Sequence, residues 1–77
     1  MPTVQGQLTH NGTHPAGVRI DFRKLGVLVG SAITDANGNY SLELAAGNHT
    51  AKVGIDLCLP NPISIPPDGI LQNLTQQ

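Results

Sequence analysis

Apolar and polar residues alternate one by one along three stretches of the chain, residues 16–23, 40–44 and 50–57. Such alternation is typical of a β-strand, because successive side chains of a strand point to opposite faces. One face of each stretch is polar, so the pattern predicts antiparallel strands that bury one face and expose the other. The side chains predicted to point inward are Val18, Ile20, Phe22, Tyr40, Leu42, Leu44, Ala51, Val53, Ile55 and Leu57.

Less regular segments complete the predicted set of strands. Residues 4–9 and the more apolar residues 26–34 each have the composition of a strand. Ile63 and Ile65 flank Ser64 between prolines, which predicts a short edge strand because proline cannot donate to a β-ladder. No long stretch has the apolar spacing of a helix without an interrupting Gly or Pro. The predicted fold class is therefore all-β, a small antiparallel β-sandwich of about seven strands.

Two Asn-Gly pairs mark predicted hairpin turns, at residues 11–12 and 37–38. Asn-Gly is a strong short-range hairpin signal because both residues tolerate a positive φ angle. The side chain of Asp35 is expected to accept backbone N–H bonds inside the second turn. Asp35, Asn37 and Gly38 are therefore predicted to be structural turn residues.

The composition narrows the possible functions. The 77 residues make one small domain with a thin core. Only 12% of the residues are charged, four of them Lys or Arg, and there are two aromatic residues, so a nucleic-acid partner is not expected. No apolar run reaches the ~20 residues that cross a bilayer, and residues 1–5 lack the features of a signal peptide, so no membrane partner is expected. The low charge predicts a surface partly covered by other subunits, including copies of the same chain.

The second hairpin and the segment after it resemble a known family. Residues 34–42, T-D-A-N-G-N-Y-S-L, and the following residues 44–53 are similar to the carboxypeptidase-regulatory-like domain, a prealbumin-like β-sandwich. Residues 5–8 and 15–18 are similar to the opening of that family, so the resemblance covers roughly residues 3–57. It implies that Tyr40 fills the core with its ring and bonds a backbone group through its hydroxyl.

The same resemblance implies a division of the chain into two parts. Residues 1–59 are expected to form a small Ig-like or prealbumin-like antiparallel sandwich, and residues 60–77 a Pro-rich strand and extended C-terminal arm that packs on the domain or on a neighbour. His49 stands where the family usually has a Tyr, and its ring is therefore expected near the surface.

Residues 63–74 also resemble the continuation of the N-terminal domains of phage tail fibres. This resemblance implies a structural protein of a phage particle, such as a tail fibre, a baseplate part or a capsid decoration protein. Its partners would be other virion subunits and copies of itself. The alternative is a binding or spacer module of a bacterial cell-surface or secreted protein, including one that faces carbohydrate. The residues predicted to form the assembly contact are Ile63, Ile65, Ile70, Leu71 and Leu74.

Two patterns with the residue types of metal sites are better explained as turns. Residues 35–39 have the D-x-N-x-N spacing of a calcium loop, but Tyr40 stands where that loop has Gly, and Ala46 where it has Glu. His10 and His14 are four residues apart, but the Asn-Gly pair between them excludes the helix that would bring both onto one face. No metal or cofactor is therefore expected.

The sequence contains no pattern typical of a catalytic site. Cys58 has apolar neighbours, whereas a reactive thiol needs a nearby base, so it is predicted to be a packed residue at the end of a strand. Glu43, the one Glu, falls on the polar face of its strand, which argues against an internal isopeptide bond. The chain is therefore expected not to be an enzyme.

Three glycosylation sequons, which begin at Asn11, Asn48 and Asn73, are explained by the Asn and Thr residues that turns contain.

Overall fold

The computed structural model describes residues 2–77, which form nine β-strands and no helix. The all-β prediction is therefore confirmed, although there are more strands than the predicted seven or so. The strands are β1 (Thr3–Thr9), β2 (Arg19–Lys24), β3 (Val27–Ile33), β4 (Asn39–Glu43), β5 (Gly47–Val53), β6 (Asp56–Leu59), β7 (Ile63–Ile65), β8 (Ile70–Leu71) and β9 (Leu74–Gln76).

One path of hydrogen-bonded neighbours joins most of the strands, in the order β3-β2-β5-β6-β9-β1-β4. β7 pairs with β5, and β8 pairs with β1. The two ends of the path come close together, since a Cβ atom added at Gly30 of β3 would lie 2.8 Å from Cδ2 of Leu44, just beyond β4. The sheet is therefore nearly closed as a barrel. It is not wholly antiparallel, because β8 and β9 both run parallel to β1.

Residues 60–77 pack on the domain itself. β7 pairs with β5, β8 pairs with β1, and β9 lies between β6 and β1. The segment between β8 and β9 is held by the Gln72 amide, which donates to the Gln5 carbonyl at 2.7 Å, and by the Tyr40 hydroxyl, which donates to the Gln72 carbonyl. The residues expected to form an arm are therefore strands of the same sheet, and the division at residue 59 does not separate two structural units.

The core fills the interior of the curled sheet. The rings of Phe22 and Tyr40 lie side by side with their centroids 5.9 Å apart, a distance typical of favourable aromatic pairs. Three of the buried side chains come from residues 60–77, so this thin core depends on the C-terminal segment. The buried apolar residues are Val4, Leu8, Ile20, Phe22, Ala32, Tyr40, Leu44, Ala51, Cys58, Ile63, Ile65 and Leu74.

Three side-chain placements expected from the sequence are wrong. Leu57 was predicted to point inward, but it is only partly buried and lies outside the core, whereas its neighbour Cys58 is fully buried. Ile55 was predicted to point inward, but it lies in the two-residue turn between paired Val53 and Asp56 and is 96% exposed. The strand alternation stops at this turn, where Gly54 has a φ of 62°. His49 was expected near the surface but is buried, because β7 covers β5 and places Ile63 beside it.

Gly6 is essential for the contact between β1 and the C-terminal segment. A Cβ atom at this position would overlap the carbonyl oxygen of Gln72. Because that oxygen belongs to backbone, relief requires the whole segment to move. We expect Gly6→Ala to lower the free energy of unfolding by about 1–3 kcal/mol, the usual cost of overpacking, as measured by urea denaturation.

Thr3→Ala is the matched control, since Thr3 is an exposed residue of the same strand. This change is expected to stay within about 0.5 kcal/mol of the unmodified protein. Equal losses for the two variants would contradict the role given to Gly6.

Candidate functional site

Asp35, Asn37 and Gly38 lie together in the turn that leads into β4. Oδ1 of Asp35 accepts hydrogen bonds from the amides of Asn37 at 2.8 Å and Asn39 at 3.0 Å. The amide of Gly38 donates to the Asp35 carbonyl, and Gly38 has a φ of 79°. Since one carboxylate oxygen is used to hold the turn, the geometry explains these residues as structural.

The five residues predicted to form an assembly contact are not together on the surface. Ile63, Ile65 and Leu74 are buried in the core of the same chain, and Ile70 is packed against that core. Leu71 alone of the five has a largely exposed side chain. A subunit contact in this conformation can therefore use Leu71, but it needs other residues as well.

The residues considered for metal binding or catalysis are dispersed. Nδ1 of His10 lies 3.4 Å from the Gln76 carbonyl oxygen, and Nδ1 of His14 lies 3.2 Å from that of Leu8. Residues 2–77 contain no group of three or more His, Cys, Asp or Glu side chains that could hold a metal ion. In the same part of the chain, no helix is long and apolar enough to cross a membrane.

The most unusual surface feature is the outer side of β3, here called the β3 edge (Val27–Ile33). Strand β3 pairs with β2 on one side, and within residues 2–77 no strand pairs with its other side, although β4 lies close to it where the sheet nearly closes. Val27 is 62% exposed and Ile33 67% exposed, and Leu28 and Val29 are roughly half exposed. The β3 edge contains no charged residue and no proline, the devices that usually protect an unpaired strand.

A β-bulge makes the β3 edge more apolar. Phe22 pairs with Gly30 and Arg23 pairs with Leu28, so Val29 has no partner on β2. The extra residue breaks the strict alternation of faces. As a result, three consecutive apolar side chains, from Val27 to Val29, are exposed together.

Leu25 stands at the tip of the hairpin between β2 and β3, next to the β3 edge. It has a φ of 51° and Gly26 a φ of 78°, the left-handed pair of a two-residue hairpin turn. Asn11 and Gly12 have nearly the same φ angles in the turn between His10 and Thr13. In that turn the first position is occupied by Asn, the residue that such turns prefer. Leu25 is strained by this backbone and is 96% exposed, so neither the turn nor the core explains a leucine there.

An open groove of about 640 Å³ lies at the other end of the β3 edge. Ile33 and Leu71 supply exposed aliphatic side chains, and most of the other lining groups are polar. Burial raises the pKa of the Tyr40 hydroxyl, which donates a hydrogen bond to the Gln72 carbonyl. The polar lining residues include Asp35, Asn39 and Ser41.

The sequence contained part of the signal for this surface. Residues 26–34 are visibly more apolar and less alternating than the other strands. The alternation of apolar and polar residues does not reveal the strand order. It therefore cannot predict which side of a strand lacks a partner.

The comparisons with known proteins give a fold likeness. No protein-family model matches the chain, and no curated protein sequence matches it significantly. A DUF3823 family protein from Parabacteroides merdae is similar in structure, with a TM-score of 0.73 at 14% identity. A DUF3823 family protein from Bacteroides ovatus has a TM-score of 0.73 at 13% identity. Each likeness covers 99% of this chain but only 45% and 44% of the other chain, respectively, so this chain spans less than half of either protein.

The buried thiol of Cys58 is expected to make the fold less stable at alkaline pH. Burial, together with the nearby Asp56 carboxylate, raises the pKa of its thiol from 9.0 to about 11. Between these values the unfolded chain loses the thiol proton while the folded chain keeps it, so unfolding becomes more favourable as the pH rises. We expect the free energy of unfolding to fall from pH 9 to pH 11, as measured by urea denaturation at each pH.

Cys58→Ala is the control, because it removes the thiol and leaves the buried Tyr40 hydroxyl, which also favours its protonated form. Its stability should fall less steeply over the same pH range. An identical pH profile for both proteins would contradict the assignment to Cys58.

Proposed function

We propose that the chain is a non-enzymatic structural protein of a phage particle, such as a tail fibre, baseplate or capsid decoration protein. The observation that carries the proposal is the β3 edge, an apolar, uncharged strand with an unpaired side. Apolar side chains that are exposed together in this way are typical of a surface that contacts another chain. A partner that packs on the outer side of β3 would cover these exposed apolar side chains.

The likeness to prealbumin-like sandwiches remains part of this proposal. In a sandwich of this kind, β3-β2-β5-β6 would form one layer and β9-β1-β4 the other, joined by the short pairing of β6 with β9. The Asp35 turn and the buried Tyr40 also support the resemblance, because they are the features on which it was based.

The proposed assembly contact is the β3 edge rather than the C-terminal segment. Leu71 remains in the proposal because it is exposed and lines the groove at the end of β3. The partners proposed are other virion subunits and copies of the chain, and the location is the virion. The proposal involves no cofactor, nucleic acid or membrane.

A second candidate function is a binding or spacer module of a bacterial cell-surface or secreted protein. One observation favours it: the similar structures are chains more than twice as long, so this fold also occurs as one part of a larger protein. The polar lining of the groove would suit a carbohydrate ligand in that setting.

Purified particles test the first function. We expect the chain to copurify with phage particles through a density gradient, as measured by quantitative mass spectrometry. Val29→Lys places a charge in the β3 edge and is expected to reduce the number of copies per particle about tenfold, the effect of losing about 1.4 kcal/mol of binding free energy.

Thr3→Lys is the matched control, since it adds the same charge to an exposed position of β1, away from the β3 edge. Its incorporation should be unchanged. Absence of the chain from the particles would overturn the proposal. Its recovery only as part of a longer envelope or secreted protein would support the second candidate.

A further inference from the structure

We infer that the groove at the end of β3 binds a neutral, hydroxyl-rich glycan. Side-chain amides of β1 and β4 bond the hydroxyls, and Leu71 and Ile33 pack against the sugar rings. The inference rests on the second candidate function, because it names the ligand and the binding residues of that same groove. The volume of about 640 Å³ lies within the size range of sites that bind small ligands.

The floor of the groove is the outer face of β1 and β4, which pair antiparallel. In this pairing Gln5 lies opposite Ser41, and Gln7 lies opposite Asn39. These four residues alternate with the buried residues of their strands, so their side chains share the outer face. Residues two apart on a strand are separated by about 7 Å, and neighbouring strands by about 5 Å. The polar side chains therefore form a lattice whose spacing is close to the dimensions of one sugar ring.

Three polar side chains of the groove are already held in place by hydrogen bonds within the chain. Nε2 of Gln7 donates to the Asn37 carbonyl at 2.9 Å, and Oδ1 of Asn73 accepts from the Gln7 amide at 3.0 Å. Oδ1 of Asp35 holds the turn before β4. Each side chain keeps one polar group for a ligand: Oε1 of Gln7, the NH₂ group of Asn73 and Oδ2 of Asp35. A ligand that bonds these groups does not have to immobilise the side chains that carry them.

Three further side chains of the lining have all their polar groups available. Gln5, Asn39 and Ser41 make no side-chain hydrogen bond within residues 2–77. Amides and hydroxyls both donate and accept hydrogen bonds. A sugar hydroxyl does the same, so a ligand with several hydroxyls can bond several of these groups at once.

The charge of the groove favours an uncharged ligand. In the part of the chain that the structure describes, the lining includes no Lys, Arg or His, so no side chain there neutralises a phosphate, a sulfate or a uronic acid. Asp35 is the one carboxylate of this lining, and one of its oxygens is used in the turn. An extended peptide fits less well, because β3 lies close to β4 on the side where a peptide strand would pair.

Two exposed aliphatic side chains stand on either side of the polar floor. Leu71 lies opposite Gln5 on β8, which pairs with β1. Ile33 lies at the end of β3, which is close to β4. A sugar ring presents C–H groups on its faces and hydroxyls around its rim. Its faces can therefore cover Leu71 and Ile33 while its hydroxyls reach the amides of the floor.

The test is a titration of the isotope-labelled full chain followed by NMR, because the NH₂ groups of Gln and Asn side chains give signals of their own. The probes are maltotetraose, cellotetraose, mannotetraose and xylotetraose, each up to about 10 mM. With at least one of them we expect saturable shifts in the NH₂ signals of Gln5, Gln7, Asn39 and Asn73. Tetragalacturonic acid, which is charged, should give none, and shifts confined to this acid would contradict a neutral ligand.

Two variants remove free polar groups without breaking a hydrogen bond of the fold. We expect Asn39→Ala and Ser41→Ala each to raise the dissociation constant about fivefold, the effect of one lost hydrogen bond. Asn48→Ala is the matched control, since Asn48 is an exposed strand residue outside the groove. The control should bind like the wild type, and the midpoint of thermal unfolding should be the same in all three variants.

A separate pair of variants tests the aliphatic side of the site. Leu71→Ala is expected to raise the dissociation constant about fivefold, because the sugar ring loses apolar contact. Leu59→Ala is the control, since Leu59 is a partly exposed leucine of β6 outside the groove. Equal affinities of these two variants would contradict the contact given to Leu71.

Two results would overturn the inference: no shift in the groove with any of the neutral probes, or equal weakening by Asn39→Ala and Asn48→Ala. The proposed functions fail separately. Copurification with particles without glycan binding would overturn the inference alone, whereas glycan binding by a chain absent from particles would overturn the virion role alone. Recovery in a longer envelope protein without glycan binding would support a spacer module and overturn the inference.

Discussion

The backbone of Gln72 is the contact on which the rest of this fold depends. It lies against the bare Cα of Gly6, accepts the Tyr40 hydroxyl and donates to the Gln5 carbonyl. These contacts place β8 and β9 on β1, and β9 in turn connects β1 to β6. Without them the strand order would end on one side at β6 and on the other at β1, and the core would lose Leu74, one of its fully buried side chains.

Completing the sheet in this way leaves its two ends unequal. β4 ends the path with polar outward residues, whereas β3 ends it with an apolar edge. A chain this small has little apolar surface to bury. The exposed Val, Leu and Ile side chains of β3 are therefore a large share of the apolar surface that the fold leaves uncovered. The proposed assembly uses this asymmetry, since only the β3 end of the sheet presents a run of exposed apolar side chains to a partner.

Much of the fold could be predicted from alternation and turn chemistry, and the rest depends on distant pairing. Residues such as Ile20, Phe22 and Tyr40 are buried as their alternation predicts, because each strand must face the core. His49 could not be placed, since the strand that covers it comes from a Pro-rich segment with weak local preference. The β3 edge was visible only as an apolar stretch, and the strain at Leu25 has no local signal, because Leu-Gly is not a typical turn pair.

The parallel pairing of β1 with β9 has a mechanical consequence. Leu8 pairs with Leu74 and Thr9 with Thr75, so the chain enters the sheet at one end of β1 and leaves it near the other. A pulling force applied between Thr3 and Gln76 therefore runs along these neighbouring strands in opposite directions. It loads their hydrogen bonds in shear, all at once, rather than peeling them apart one after another. The fold is thereby suited to carry tension along its length.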